Sequence, residues 1–208
     1  MGRGSVKNRA VFLDRDGTII YDRNYLSSPT QVKLYAYSAE CVKTLQKAGF
    51  KVIIITNQSG IGRGKFTLKK LNEIHSRFFE LLKEQGAKLD GLYFCPHIDE
   101  DNCPCRKPKL GMVLEAAKDK NLDLKSSYVV GDSIRDYIVG QKMGGKGILT
   151  LTGHGKKQEK SVKNQTIKPF AVCANLKSAV KIILNDSRPL KKAPKQQCCI
   201  IKPAREVA

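Results

Sequence analysis

The chain has 208 residues, enough for one domain with a buried core and a short tail. Hydrophobic residues make up 41% and charged residues 27%, the balance of a soluble globular protein, and no apolar run approaches the roughly 18 residues of a membrane span. An integral helical membrane protein is therefore excluded.

Charge is the unusual quantity. Lys and Arg total 38 against 19 Asp and Glu, a formal +19, and the last 56 residues hold 13 basic and 3 acidic side chains. Such a basic tail either attracts a polyanion such as nucleic acid or serves solubility. The chain lacks Trp, and Phe170 is the one aromatic after Gly153, so a stacking platform for single strands is poorly supported. Met1 to Arg9 carries no apolar secretory core, and Val6 stands where a myristoylation signal wants Ser or Thr. A cytoplasmic protein without membrane contact is expected. Without a secretion signal, the seven cysteines are not expected to form a disulfide framework.

In chain order, Ala10 to Leu13 is a buried strand ending in Asp14. Ser38 is the expected cap of a helix carrying Val42, Leu45 and Ala48, stopped by Gly49. Val52 to Ile55 is β-branched and continuous, as in a strand covered on both faces. Thr67 caps a longer helix with Leu71, Ile74, Phe78, Leu81 and Leu82 inward, ended by Gly86. Leu92 to Phe94 is a strand and Met112 to Lys120 a short helix. Tyr128 to Val130, Gly147 to Leu151 and Ala171 to Cys173 are further strands, and a helix over Leu176, Val180, Ile183 and Leu184 follows. Cys41 and Cys173 read as core residues. The alternation implies an α/β fold with a doubly wound parallel sheet. Residues 1–9 form an extension, 10–185 the domain, and 186–208 a basic tail without periodicity that reads as disordered.

Ligands in such sheets bind beyond the carboxyl ends of the strands. The polar residues expected there are Asp14 and Asp16, Thr56 and Asn57, and Asp132. Asp14 and Asp16 stand two apart, so an extended backbone points them the same way, and Gly17 permits a sharp exit. Two close carboxylates repel unless a cation sits with them, and Mg²⁺ takes oxygen ligands of this kind. By itself the pair is equally compatible with a surface turn. With a metal and a lysine it is the set that phosphoryl transfer needs, one carboxylate attacking phosphorus and the other moving the leaving-group proton.

Four segments occur in order: Asp14-Arg15-Asp16-Gly17-Thr18, Thr56-Asn57-Gln58-Ser59-Gly60, Arg106-Lys107-Pro108 and Gly131-Asp132-Ser133-x-x-Asp136. With them the chain closely resembles the haloacid dehalogenase superfamily of aspartate-nucleophile phosphatases. Within it the match is to the branch of histidinol-phosphate and D-glycero-D-manno-heptose 1,7-bisphosphate phosphatases. The resemblance spans Ala10 to Leu151 and extends through Thr56 to Phe66. It implies a Rossmann-like fold with a minimal cap, Asp14 as nucleophile, Asp16 as general acid/base and Lys107 as the phosphate-stabilising lysine. It further implies Mg²⁺ on Asp14, the backbone carbonyl of Asp16, and Asp132, with Asp136 anchoring its loop. Thr56 and Asn57, with Gln58 and Ser59 beside them, would hold the transferring phosphoryl group. Arg106 offers a fork for a second phosphate or a sugar hydroxyl. Asp22 and Tyr25 match the branch's substrate loop; Tyr25 either closes over a sugar or is a packed turn residue.

Cys95-Pro96-His97 and Cys103-Pro104-Cys105 supply three thiols and one imidazole, a closed tetrahedral zinc set without an open position for water. The expected role is structural, stapling the loop that ends in Arg106 and Lys107. His75 and His154 are expected to be structural or solvated. The segment Cys105 to Met112 favours the sugar enzyme, although Leu110 stands where proline is usual. A small phosphorylated substrate is thus expected, a sugar bisphosphate, acted on by a monomer. Histidinol phosphate and a nucleic-acid 3′-phosphate are the alternatives, the latter drawing on the basic tail.

Overall fold

The computed structural model describes residues 7–187. The strands are β1 (Arg9–Leu13), β2 (Phe50–Asn57), β3 (Gly91–Cys95), β4 (Tyr128–Gly131), β5 (Lys146–Thr150) and β6 (Ala171–Cys173). They form one parallel sheet in the order β3-β2-β1-β4-β5-β6. The helices are α1 (Ser38–Lys47), α2 (Leu68–Glu84), α3 (Gly111–Lys120), α4 (Ile134–Lys142), α5 (Gly155–Val162) and α6 (Leu176–Asp186).

Alternating side chains of the central strands feed two cores. Val11 and Leu13 of β1 and Val52 and Ile54 of β2 meet α1, α2 and α6 on one face. Ala10, Phe12, Ile53 and Ile55 meet α3 and Val139 of α4 on the other. Burial on both faces is why the sequence shows continuous apolar runs rather than alternation. From β1 the chain winds outward through β2 and β3, then returns to β4 on the opposite side and winds outward again. The direction reverses beside β1, so the crevice opens past the carboxyl ends of β1 and β4.

The expected strands are all present, and so are the expected helices. Thr67 caps α2, its hydroxyl accepting from the Lys70 N–H. Gly49 and Gly86 take positive φ after α1 and α2. Ser38 is a correction. The cap of α1 is Tyr37, and the buried Ser38 hydroxyl donates to the Ile19 carbonyl at 2.6 Å, tying the helix to the loop after β1. Two helices were not anticipated. Helix α4 begins with a capping box, Ser133 and Asp136, inside a segment whose polarity reads as chemistry. Helix α5 buries only Gly155 and so has no apolar stripe to find. Helix α4 reaches β5 through glycines, since a Cβ on Gly140 would lie 2.5 Å from Gly147 Cα. The tail expectation, apart from 186–187, lies outside the described residues, as do residues 1–6 of the N-terminal extension, whose last residue, Arg9, already begins β1.

Candidate active site

The reversal beside β1 brings distant segments together. Asp14 follows β1, Asp132 follows β4, and Lys107 closes the loop after β3; all three are buried. Lys107 Nζ lies 2.6 Å from Asp14 Oδ1 and 2.6 Å from Asp136 Oδ1, and donates to the Ile55 carbonyl at 2.8 Å. Asp14, Asp132 and Asp136 each offer an oxygen within 4.8 Å of the others. Three buried carboxylates therefore face one buried ammonium. Burial raises Asp14 above the carboxylate range; Lys107 pulls it back, and Asp136 and Asp16 push it up again. Burial likewise raises Asp132, with Asp14 and Asp136 adding to the rise. Burial alone would lower Lys107, but Asp136 and Asp14 outweigh it and hold the ammonium protonated. The surplus of negative charge fits a hard dication.

Gly17 sets how closely the first and fourth strand ends approach. Its φ is +76°, and a Cβ there would lie 2.2 Å from Asp132 Oδ2. The same carboxylate oxygen accepts from the His154 N–H at 2.6 Å.

Asp16 departs from the side-by-side expectation. The turn at Gly17 takes its carboxylate out of the three-acid group. It accepts from the buried Arg15, through Nε and Nη2 at 3.1 Å each, and from Gln58 Nε2 at 2.9 Å. Gln58 Nε2 also donates to Thr56 Oγ1 at 2.8 Å. Gln58 therefore positions Asp16 and Thr56. The Asn57 amide is similarly occupied: it accepts from the Lys107 N–H at 3.0 Å and donates to the Lys107 carbonyl at 3.3 Å, clamping the lysine's backbone.

A cavity of about 420 Å³ opens over these groups, lined by Asp14, Asp16, Asp132 and Lys107, and at its sides by Thr56, Asn57, Ser59, Asp22 and Arg106. Tyr25 lines an adjoining pocket of about 180 Å³ that shares Asp22 and Ser59 with the first. Its backbone φ is +69° and its ring is exposed.

Sequence reasoning missed four contributors. His154 was expected to be structural or solvated, yet it lines both pockets, and its Nε2 stands 2.9 Å from Asp22 Oδ2. Arg15 is buried inside the first motif and holds Asp16. Arg135 and Gln158 reach the cavity wall from α4 and α5, the two helices that were not anticipated. The capping box was a sequence signal for α4; α5, whose N-cap His154 makes no side-chain cap, offered none.

The Cys/His loop lies next to this cavity. Cys95, His97, Cys103 and Cys105 present their donor atoms within 4.8 Å of one another. The nearest spacings run from 3.3 Å, His97 Nδ1 to Cys105 Sγ, to 3.6 Å, Cys95 Sγ to His97 Nδ1. Bonds of about 2.0–2.3 Å to a central ion give tetrahedral edges of about 3.3–3.8 Å, so the set fits zinc.

Comparisons with known proteins agree with this geometry. The HAD-hydrolase-like family matches residues 104–179. The D-glycero-beta-D-manno-heptose-1,7-bisphosphate 7-phosphatase of Helicobacter pylori (strain J99) is 40% identical over 174 residues, 83% of this chain and 95% of that protein. The chain belongs to the haloacid dehalogenase-like hydrolases. Another relative, the histidine biosynthesis bifunctional protein HisB of Blochmanniella floridana, is 38% identical over 69% of this chain but only 41% of its own length. Among solved structures, the D,D-heptose 1,7-bisphosphate phosphatase of B. bronchiseptica, in complex with magnesium and phosphate, superposes with a TM-score of 0.78 at 31% identity. It covers 86% of this chain and 99% of its own. Membership of the HAD-like hydrolases accounts for the parallel sheet, the crevice beside β1, and the two acids that follow that strand.

Proposed function

We propose that the chain is a phosphomonoesterase that removes the 7-phosphate of D-glycero-D-manno-heptose 1,7-bisphosphate. The observation that carries the reading is Asp14, buried at the tip of β1 with Lys107 2.6 Å from its carboxylate, at the base of a cavity of about 420 Å³. Support for the substrate comes from the Helicobacter pylori enzyme, matched over 95% of its length.

Asp14 attacks phosphorus with its free carboxylate oxygen, and the ester P–O bond breaks. Asp16, fixed beside the cavity by Arg15 and Gln58, gives its proton to the departing sugar oxygen. Water then attacks the aspartyl phosphate, Asp16 takes the proton, and phosphate leaves. Lys107 neutralises a phosphoryl oxygen throughout, and Asp136 and Asn57 hold it in position. Thr56 and Ser59 donate to the remaining oxygens from the wall. Asp14, Asp132 and the Asp16 backbone carbonyl would hold Mg²⁺; Asp136 is committed to Lys107 and to the Ser133 N–H. When bound, the ion supplies positive charge to the phosphoryl oxygens. Zinc on Cys95, His97, Cys103 and Cys105 would fix the loop that delivers Arg106 and Lys107.

The test is phosphate release, with Mg²⁺, from heptose 1,7-bisphosphate, histidinol phosphate and a 3′-phosphorylated oligonucleotide. Preference for the first by at least tenfold in kcat/KM is expected. Preference for either of the others overturns the assignment.

A further inference from the structure

Arg106 and Arg135 converge on one carboxylate at the mouth of the cavity. Arg106 donates to Asp99 through Nε at 2.9 Å and Nη2 at 3.2 Å; Arg135 donates through Nη1 at 3.0 Å and Nη2 at 3.3 Å. The two forks come from different elements. Arg106 ends the Cys/His loop and is braced by its Nη1 on the His97 carbonyl at 3.0 Å. Arg135 stands in the first turn of α4, its N–H capped by Ser133, one residue before the Asp136 that holds Lys107. Both arginines line the same cavity as Asp14. Asp99 itself is 53% exposed.

Two guanidiniums, each gripping both oxygens of a single carboxylate, form an anion site that already holds an anion. A phosphate dianion has one more oxygen and one more charge than a carboxylate, and so fits a pair of forks better. The Asp99 carboxylate is the exposed member of the cluster, so water takes it up when a phosphate replaces it. We infer that Arg135, with Arg106, clamps the second phosphate of the substrate, the one that is not transferred, and that this phosphate displaces Asp99 from between them. Arg135 is then a specificity-determining residue, and Asp99 a built-in competitor. The inference rests on the bisphosphate reading proposed above and adds to it the residue that tells a bisphosphate from a monophosphate.

The test compares kcat/KM for heptose 1,7-bisphosphate with kcat/KM for the same sugar carrying only the 7-phosphate, in the full chain with both metals. Arg135→Met is expected to lower the ratio of the two by roughly ten- to a hundredfold, the range for hydrogen bonds between charged groups. Arg135→Lys restores part of the ratio, keeping the charge without the fork. Asp99→Asn moves the ratio upward, since no charge then competes. A ratio untouched by Arg135→Met, or equal losses on both substrates, overturns the inference; so does a fall in the ratio with Asp99→Asn. Calorimetric binding of the bisphosphate to Asp14→Asn protein, with and without Arg135→Met, separates this failure from failure of the substrate assignment. At least tenfold weaker binding without Arg135 supports the clamp whatever the turnover, and equal binding overturns it.

Discussion

The carboxylate crevice and the Cys/His loop are neighbours built on opposite plans. Asp14, Lys107 and Asp132 lie far apart in sequence and meet only because the sheet reverses beside β1. The four loop ligands lie within eleven residues and need no sheet to bring them near one another. The crevice residues are buried and short of positive charge; the loop is half-buried, and its four donors form a closed set. Lys107 belongs to both: its position in sequence comes from the loop, and its partners come from the crevice. Each site is therefore vulnerable in its own way. The crevice would fail through its chemistry while the fold survives; the loop, if it holds the proposed zinc, would fail through that metal and take the chemistry with it.

The largest effect is expected from Asp14→Asn, which replaces the proposed nucleophile. Phosphate release should fall on the order of 10⁴-fold or more. Zinc content and thermal midpoint should stay within experimental error of the wild type, and loss of zinc in this variant would erase the separation between the two sites. Cys103→Ser should release zinc, read by elemental analysis, and lower kcat/KM by roughly 10- to 100-fold as Arg106 and Lys107 lose their support. Adding Mg²⁺ should not restore it. If activity survives without zinc, the loop does not hold the two cations.

Gly17→Ala sharpens the crevice side. A methyl group there is strained at φ +76° and meets the Asp132 carboxylate at 2.2 Å. Denaturant melts should show a loss of about 2–3 kcal/mol, with activity falling too.

The smallest effect belongs to His75, on the inner face of α2 with its ring 5.6 Å from that of Phe94. Burial, with Arg15 nearby, holds its imidazole down at about 3. The unfolded chain takes up a proton near pH 6.5, whereas the folded chain does so only far below. The stability from this group is therefore complete above pH 6.5 and is lost as pH falls toward 3. Compared with His75→Phe, the wild type should lose about 2 kcal/mol more between pH 7 and pH 5. Parallel urea titrations of the two proteins at both pH values read this directly, and equal losses would count against a neutral buried ring.

The legibility of the two sites follows from the same contrast. Cys95, His97, Cys103 and Cys105 could be read as a set because ligand chemistry and short spacing are local properties. Asp14, Lys107 and Asp132 could be read because each sits in a recognisable segment and the strand-helix alternation says where strand ends meet. His154 and Arg15 could not. Nothing near Gly153-His154-Gly155 points to Asp132, and Arg15 between two aspartates looks like a solvated charge until it is found buried. Asn57 and Gln58 are expected against substrate because their segment resembles a phosphate-binding motif, and both line the pockets; that their side chains also hold Lys107, Asp16 and Thr56 has no sequence signal.

Continuous apolar runs alternating with helical periodicity point to a parallel α/β sheet from sequence alone, because a strand apolar on both sides needs cover on both faces and the intervening helices supply it. Short-range ligand spacing likewise determines the Cys/His cluster. Tertiary structure alone decided which way each polar side chain points. The turn at Gly17 sends Asp16 to Arg15, α4 delivers Asp136 to Lys107, and two arginines 29 positions apart close on one aspartate. Hydrogen bonds and ion pairs act over about 3 Å, and no pattern along the chain carries distances across it.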